Sequence, residues 1–243
     1  MKRRGFVKLC ASALAGITAS PESLAEGMRE VHVYERVKLV NVQNHEPVTS
    51  SSLEEGETYL FHYPFVTTPC FLINLGQPLT QKIIMQTRDG KPYHWPGGVG
   101  PNRSVVAFSA ICAHRMSHPA PSVSFINYRH GKTSYRNLDD EEVENSNVIY
   151  CCSEKSVYDP ARGGHVLGGP APQPLAAIAL DYVEAEDQFY AMATIGGEMF
   201  DRYFETFGDR LILDHGRLDI RRESSDVTDL MRLDDYSANK ILC

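Results

Sequence analysis

Two stretches of this chain carry residue types that could do chemistry together. The first runs Ser109-Ala110-Ile111-Cys112-Ala113-His114-Arg115-Met116-Ser117-His118-Pro119. The second runs Tyr150-Cys151-Cys152-Ser153-Glu154-Lys155-Ser156-Val157-Tyr158-Asp159. Cys-x-His sets a thiolate and an imidazole close together, and a second loop bearing Cys, placed opposite, could complete a four-donor set. Thiolates combined with imidazoles suit zinc or an iron–sulfur cluster. One Cys-x-His alone is weak, because a buried Cys beside a surface His is the commoner origin of that pattern. The six cysteines (Cys10, Cys70, Cys112, Cys151, Cys152, Cys243) show no regular spacing of a disulfide framework. Unpaired thiols are a liability in an oxidising compartment, so the adjacent pair Cys151-Cys152 needs a reason. Cys152 is expected to lie near a metal.

The elements around these stretches read as β structure. Residues 104–108 form a short apolar run leading into Cys112, and 148–150 another leading into Cys151, so both stretches are loops at strand ends. Further strands are expected over 31–42, 58–63, 70–75, 82–86, 177–182 and 188–193, the last two as a hairpin. Residues 88–102 and 161–173 are rich in Gly and Pro and read as loops. Residues 127–147 are polar, with an acidic run over 139–144, and read as an inserted, exposed excursion. Many short strands punctuated by Gly and Pro predict an all-β sandwich or barrel. From Gly197 the spacing of Met199, Phe200, Tyr203, Phe204, Phe207 and Leu211 predicts a helix with one apolar face. That face packs on its own β domain or docks a partner. From Arg221 onward the chain reads as a polar, loose tail. The predicted units are 1–25 as a leader, 26–196 as the β domain and 197–243 as helix and tail.

The leader reads Lys2-Arg3-Arg4-Gly5-Phe6-Val7-Lys8, then a weakly apolar run from Leu9 to Ala19, then Ser23-Leu24-Ala25 before Glu26. It has the parts of a signal peptide and resembles the twin-arginine export signal. A chance Arg pair on an ordinary Sec signal, or an uncleaved anchor, would give a similar start. The apolar run is too short for a comfortable membrane span. The twin-arginine route carries folded proteins, often with cofactors already inserted, so periplasmic localisation and a cofactor are expected. Cleavage after Ala25 removes four positive charges and one negative, taking the net charge from −7 to −10. An acidic surface disfavours nucleic acid and anionic lipid as partners.

The second stretch continues as Ser156-Val157-Tyr158-Asp159, Pro160-Ala161-Arg162-Gly163-Gly164 and then Gly169-Pro170-Ala171-Pro172-Gln173-Pro174-Leu175. Together with Cys112-Ala113-His114, Tyr63-Pro64, Pro69-Cys70-Phe71-Leu72-Ile73 and Val105-Val106-Ala107-Phe108-Ser109, this resembles the Rieske iron–sulfur domains over roughly residues 54–193. The resemblance implies a Rieske-like β-sandwich or barrel with a cluster-binding subdomain, a C-terminal helix after it, and a [2Fe-2S] cluster. It implies Cys112 and Cys151 on the inner iron and His114 on the outer iron. Ser156 would donate to a bridging sulfur, Tyr158 to a ligand cysteine sulfur, and Gly169-Pro170-Ala171-Pro172 would shield the cluster.

The sequence departs from the family at three places. Glu154 stands where the second ligand His belongs. Ser117 and Ser153 stand where many members carry a disulfide between the two loops. Three readings of the outer iron follow: Glu154 ligates it, another side chain does so (His118, Cys152, His130 or His165), or no cluster binds. At 243 residues there is no room for the catalytic domain of a ring-hydroxylating oxygenase. The expectation is a periplasmic electron-transfer protein, or the small subunit of a larger oxidoreductase with a redox protein partner. The alternative is a Rieske-like fold whose metal site is altered or absent, acting as a structural or binding subunit.

Overall fold

A computed structural model describes residues 30–243. The leader, and the export reading that rests on it, lie outside the described residues. The strands are β1 (Val31–Asn41), β2 (Thr58–His62), β3 (Pro69–Asn74), β4 (Ile83–Gln86), β5 (Pro92–Trp95), β6 (Val105–Ser109), β7 (Ile126–Arg129), β8 (Thr133–Arg136) and β9 (Glu142–Asn145). They continue as β10 (Val148–Cys151), β11 (Ser156–Asp159), β12 (His165–Gly168), β13 (Ala177–Val183), β14 (Gln188–Ile195) and β15 (Val227–Arg232). Two helices, α1 (Phe200–His215) and α2 (Leu233–Tyr236), flank β15.

The fold is mostly β, as expected, and has two parts. A closed barrel runs in the order β1-β14-β13-β6-β3-β2-β15, and a separate antiparallel sheet runs β12-β11-β10-β7. The barrel core is lined by Leu39, Phe61, Leu72, Ala107, Phe189 and their neighbours. A second core spans both parts, from Phe71 and Phe108 in the barrel to Ile149 and Tyr158 in the sheet. Burying aliphatic and aromatic side chains of this size stabilises by about 1.5–3 kcal/mol each. The sheet is therefore fixed to the barrel by shared apolar burial, not by a linker alone.

Helix α1 forms where the periodicity predicts, ends on Gly216 in the left-handed region (φ 60°), and turns Phe200, Tyr203, Phe204 and Leu211 inward. These side chains pack with Ile111 and Met116 of the first chemical loop. The apolar face of the helix is thus covered by its own domain.

Three expectations of the sequence fail. The tail is not loose: β15 closes the barrel, parallel to β1 and antiparallel to β2, with Leu230 and Leu233 buried. Its Asp and Arg residues mask a strand whose inward positions, Thr228 and Leu230, alternate as a half-buried strand requires. The excursion at 127–147 is not wholly exposed, because Ile126, Asn127 and Tyr128 are buried in β7, beside β10. Only β8–β9 forms an outlying hairpin. The Gly/Pro loops each hold one short strand, β5 and β12, which the turn residues hide.

Candidate functional site

Strand β6 delivers the first loop. Its last residue, Ser109, is clamped by a bond from its N–H to the Ala176 carbonyl (2.8 Å), and Ala110 N–H donates to the Pro69 carbonyl (2.9 Å). The chain then turns tightly: Met116 N–H donates to the Cys112 carbonyl, and Cys112 N–H donates to the Ser117 carbonyl, both at 2.9 Å. Met116 takes φ 60° to make that turn. Strand β10 delivers the second loop, and Lys155, four residues after Cys151 as Met116 is four after Cys112, takes φ 59°. The two Cys-bearing loops are thus built alike and lie side by side. Their tie is a hydrogen bond from Ser117 Oγ to Ser153 Oγ at 2.8 Å. Ser117 and Ser153, which the resemblance pairs across the two loops, do face each other.

Cys112 and Cys151 meet between the loops. Both are free and buried, and their thiols are within hydrogen-bonding reach of one another. That bond pushes the Cys112 thiol below its ordinary range, with Tyr158 assisting and burial opposing. The same bond, together with burial, pushes Cys151 up. Tyr158 reaches in from β11. Ala113 N–H donates to its Oη at 3.1 Å, and Cys112 Sγ lies 3.2 Å from the same oxygen. With one lone pair of Oη taken by Ala113, the phenol's own proton is free to point at sulfur. Burial raises the Tyr158 pKa, so that proton is held.

Two further polar atoms are shut off from solvent: His114 Nδ1, which meets no protein partner, and Ser156 Oγ, which lies near the Cys112 thiol. Leaving a buried polar group unpaired costs about 1–3 kcal/mol. The Gly169-Pro170-Ala171-Pro172 turn closes over the second loop. Gly169 has φ 78°, and a Cβ there would sit 2.3 Å from the Lys155 carbonyl oxygen, so no other residue fits. Ala171 packs against the core that contains Cys112, Cys151 and Tyr158.

Glu154 does not join this group. Its carboxylate pairs with Arg115 at the tips of the two loops, Nη1 to Oε1 3.3 Å. His118 is turned away: its Nδ1 meets the Met116 carbonyl at 2.9 Å, and its ring packs edge-on against Tyr203 and Phe207 of α1. His130 bonds Asn147 at the end of the β7–β10 pair opposite Cys151. His165 lies opposite Asp159, three residues along β11 from Ser156.

Cys152 corrects the sequence reading. It is disulfide-bonded to Cys243 and so is no metal ligand. The reason is the alternation of side chains along a strand. Ile149 and Cys151 face the core shared with the barrel, whereas Val148 and Tyr150 face the outer side, where Cys152 also packs. The adjacent thiols therefore point to opposite faces. The period-two pattern of residues 148–152 was the available signal. Arg129, also missed, stacks on Tyr150 (4.3 Å) and reaches Cys152 Sγ at 3.0 Å.

Among the described residues, no three His, Cys, Asp or Glu side chains converge closely enough for a single metal ion. A two-iron cluster asks for less at any one point, because each iron takes only two protein donors. The Cys112–Cys151 pair suits that demand for one iron, and the buried, partnerless Nδ1 of His114 is a donor of the kind such a cluster would engage. The thiol pair fits one half of that group, and His114 would be the first donor to the other half.

No family model matches the chain. Among solved structures, the chain is similar to the soluble domain of the Rieske protein II (soxF) from Sulfolobus acidocaldarius. The identity is 27 %, the TM-score is 0.44, and the match covers 68 % of this chain and 82 % of that one.

Proposed function

We propose that this protein is a Rieske-type iron–sulfur electron carrier, exported to the periplasm, working alone or as the small subunit of a larger oxidoreductase. The observation that carries the reading is the buried Cys112–Cys151 pair with Tyr158 Oη 3.2 Å from the Cys112 sulfur, two residues from His114, whose buried Nδ1 no protein group satisfies. In this reading Cys112 and Cys151 would hold one iron, and His114 would hold the other. A [2Fe-2S] group held in this way supplies reversible uptake of one electron. The chain's part is to orient and seal. Tyr158 and Ser156 would present hydroxyl protons to sulfur, which would favour the reduced, more negative state. The turn at Gly169–Pro172 keeps water from the loop backbone.

Glu154 is the candidate for the remaining position. Its present partner, Arg115, is largely exposed, and an exposed ion pair is worth only about 0–1 kcal/mol. Releasing the carboxylate from Arg115 therefore costs little, and a bound iron would offset its desolvation. A carboxylate in place of imidazole favours the oxidised metal and lowers the potential. The same ion pair is what a metal-free relative, acting as a structural or binding subunit, would retain.

Substitution separates the two readings. Cys112→Ser or Cys151→Ser should abolish iron and visible colour in anaerobically purified protein. Cys70→Ser should keep both, because Cys70 donates to the Tyr63 carbonyl (3.0 Å) in the other core. Colourless, iron-free wild type would favour the binding subunit. For export, changing Arg3 and Arg4 to Lys should leave the precursor in the cytoplasm, and normal export of that double variant would refute the twin-arginine assignment.

A further inference from the structure

The segment 237–243 runs as a strap beside the second loop. Ser124 N–H donates to the Asn239 carbonyl (2.8 Å), Ile241 N–H to the Ser124 carbonyl (2.9 Å) and Asn127 Nδ2 to the Ile241 carbonyl (2.9 Å). Its covalent fastening is Cys152–Cys243, one residue from Cys151. The two sulfurs differ. Cys243 is exposed, and Cys152 is half-buried. The Cys152 sulfur is contacted by Arg129 Nη2 at 3.0 Å and by the Cys243 N–H at 3.1 Å, whereas Arg129 is 3.7 Å from the Cys243 sulfur. Arg129 is held for this contact by its stack on Tyr150 and by Nη1 donating to the Cys243 carbonyl (2.9 Å).

We propose that Cys152–Cys243 is a site of thiol–disulfide exchange with a dithiol reductant, entered from Cys243, with Arg129 as the positioning residue that receives the departing charge. A thiolate of the dithiol attacks Cys243 Sγ in line with the disulfide. The new S–S bond joins reductant to Cys243, the Cys152–Cys243 bond breaks, and its electron pair leaves on Cys152 Sγ against the guanidinium, later taking a proton from water. The second thiol of the reductant then attacks its own sulfur in the mixed disulfide and frees Cys243. Two electrons have passed from the dithiol, now a disulfide, to the protein, now a dithiol. Exchange rates follow access to the attacked sulfur and the ease with which the other departs, and the geometry assigns these two properties to different cysteines. Opening the bond releases the strap from the residue next to Cys151. The two serines that tie the loops to each other offer no covalent substitute.

The exchange is independent of whether a cluster is bound, so its test is distinct from that of the proposed function. Oxidised protein, folded and without denaturant, is treated with glutathione, quenched with an alkylating agent and mapped by peptide mass. The expected result is glutathione on Cys243 with Cys152 alkylated. Arg129→Gln should slow the reaction about tenfold, the worth of one charge-assisted hydrogen bond, and Arg129→Lys should recover part of the rate. Native fold in each variant is checked by circular dichroism. Glutathione on Cys152, equal rates in Arg129→Gln and wild type, or exchange only after unfolding in urea would each overturn the proposal and leave a purely structural bridge.

Discussion

Replacing Tyr158 by Phe removes one oxygen and tests two properties of the site at once. The ring stays, so the packing of a fully buried side chain is kept. Two contacts go: the one to Cys112 Sγ at 3.2 Å and the one accepted from Ala113 N–H at 3.1 Å. Ala113 is buried, so its N–H is left without a partner, at a cost of about 1–3 kcal/mol. For a domain of this size each kcal/mol moves the melting temperature by about 2–4 °C, so a loss of several degrees is expected in the protein without its cluster. The lost O–H···S bond contributes about 0.5–1.5 kcal/mol in favour of the reduced state, which corresponds to a potential lower by roughly 20–60 mV for one electron. Thermal unfolding followed by circular dichroism reads the first effect, and a dye-mediated redox titration reads the second. A fall in stability with an unchanged potential would leave Tyr158 a packing residue only. A lowered potential with unchanged stability would contradict the Ala113 contact. No change in either would refute the whole arrangement.

Other consequences follow from the same geometry. Glu154→Ala should change the stability of the cluster-free chain by less than about 1 kcal/mol yet make iron labile, and Glu154→His should raise the potential. If His118→Ala alone abolished iron binding, the fourth ligand would be His118. The buried, partnerless Nε2 of His62 holds that imidazole's pKa down at about 3, chiefly through burial with His215 adding to it. A histidine kept neutral when folded but free to protonate near 6.5 when unfolded stabilises the fold fully above that pH. This stability should fall by about 1.4 kcal/mol per unit as pH drops from 6.5 towards 3. Urea unfolding at pH 7, 5.5 and 4.5 reads that slope, and His62→Phe should flatten it. The hydroxyls of Ser117 and Ser153 are 2.8 Å apart, so the double change Ser117→Cys, Ser153→Cys should form a second disulfide in air. Intact mass and peptide mapping check for it, and failure to oxidise would contradict the facing of the two loops.

How much of this was legible in the sequence depends on the range over which each feature is decided. The facing loops were legible because each chemical stretch follows a short apolar strand, and the residues after Cys151 repeat a known order through Leu175. Helix α1 was legible because six apolar residues keep one period. The role of β15 was not. Residues 227–232 hold as many polar as apolar side chains, and only pairing with β1 and β2, far earlier in the chain, makes them a strand. The Cys152–Cys243 bridge was hidden for a related reason: a separation of 91 residues leaves no local trace. Adjacency of Cys151 and Cys152 suggested a shared metal, although strand alternation already placed them on opposite faces. The acceptance of Ser117 and Ser153 as a matched pair came from the sequence, but their hydrogen bond could be found only in three dimensions.

On the proposed reading Cys112, Cys151 and His114 belong to a two-iron site. Anaerobically purified chain, analysed for iron and acid-labile sulfide and examined by visible absorbance and low-temperature EPR before and after reduction, tests it most directly. Expected are about two irons and two sulfides per chain, colour that bleaches on reduction, and an EPR signal in the reduced state alone. A colourless protein containing one zinc or no metal, with unchanged spectra on reduction, would contradict it.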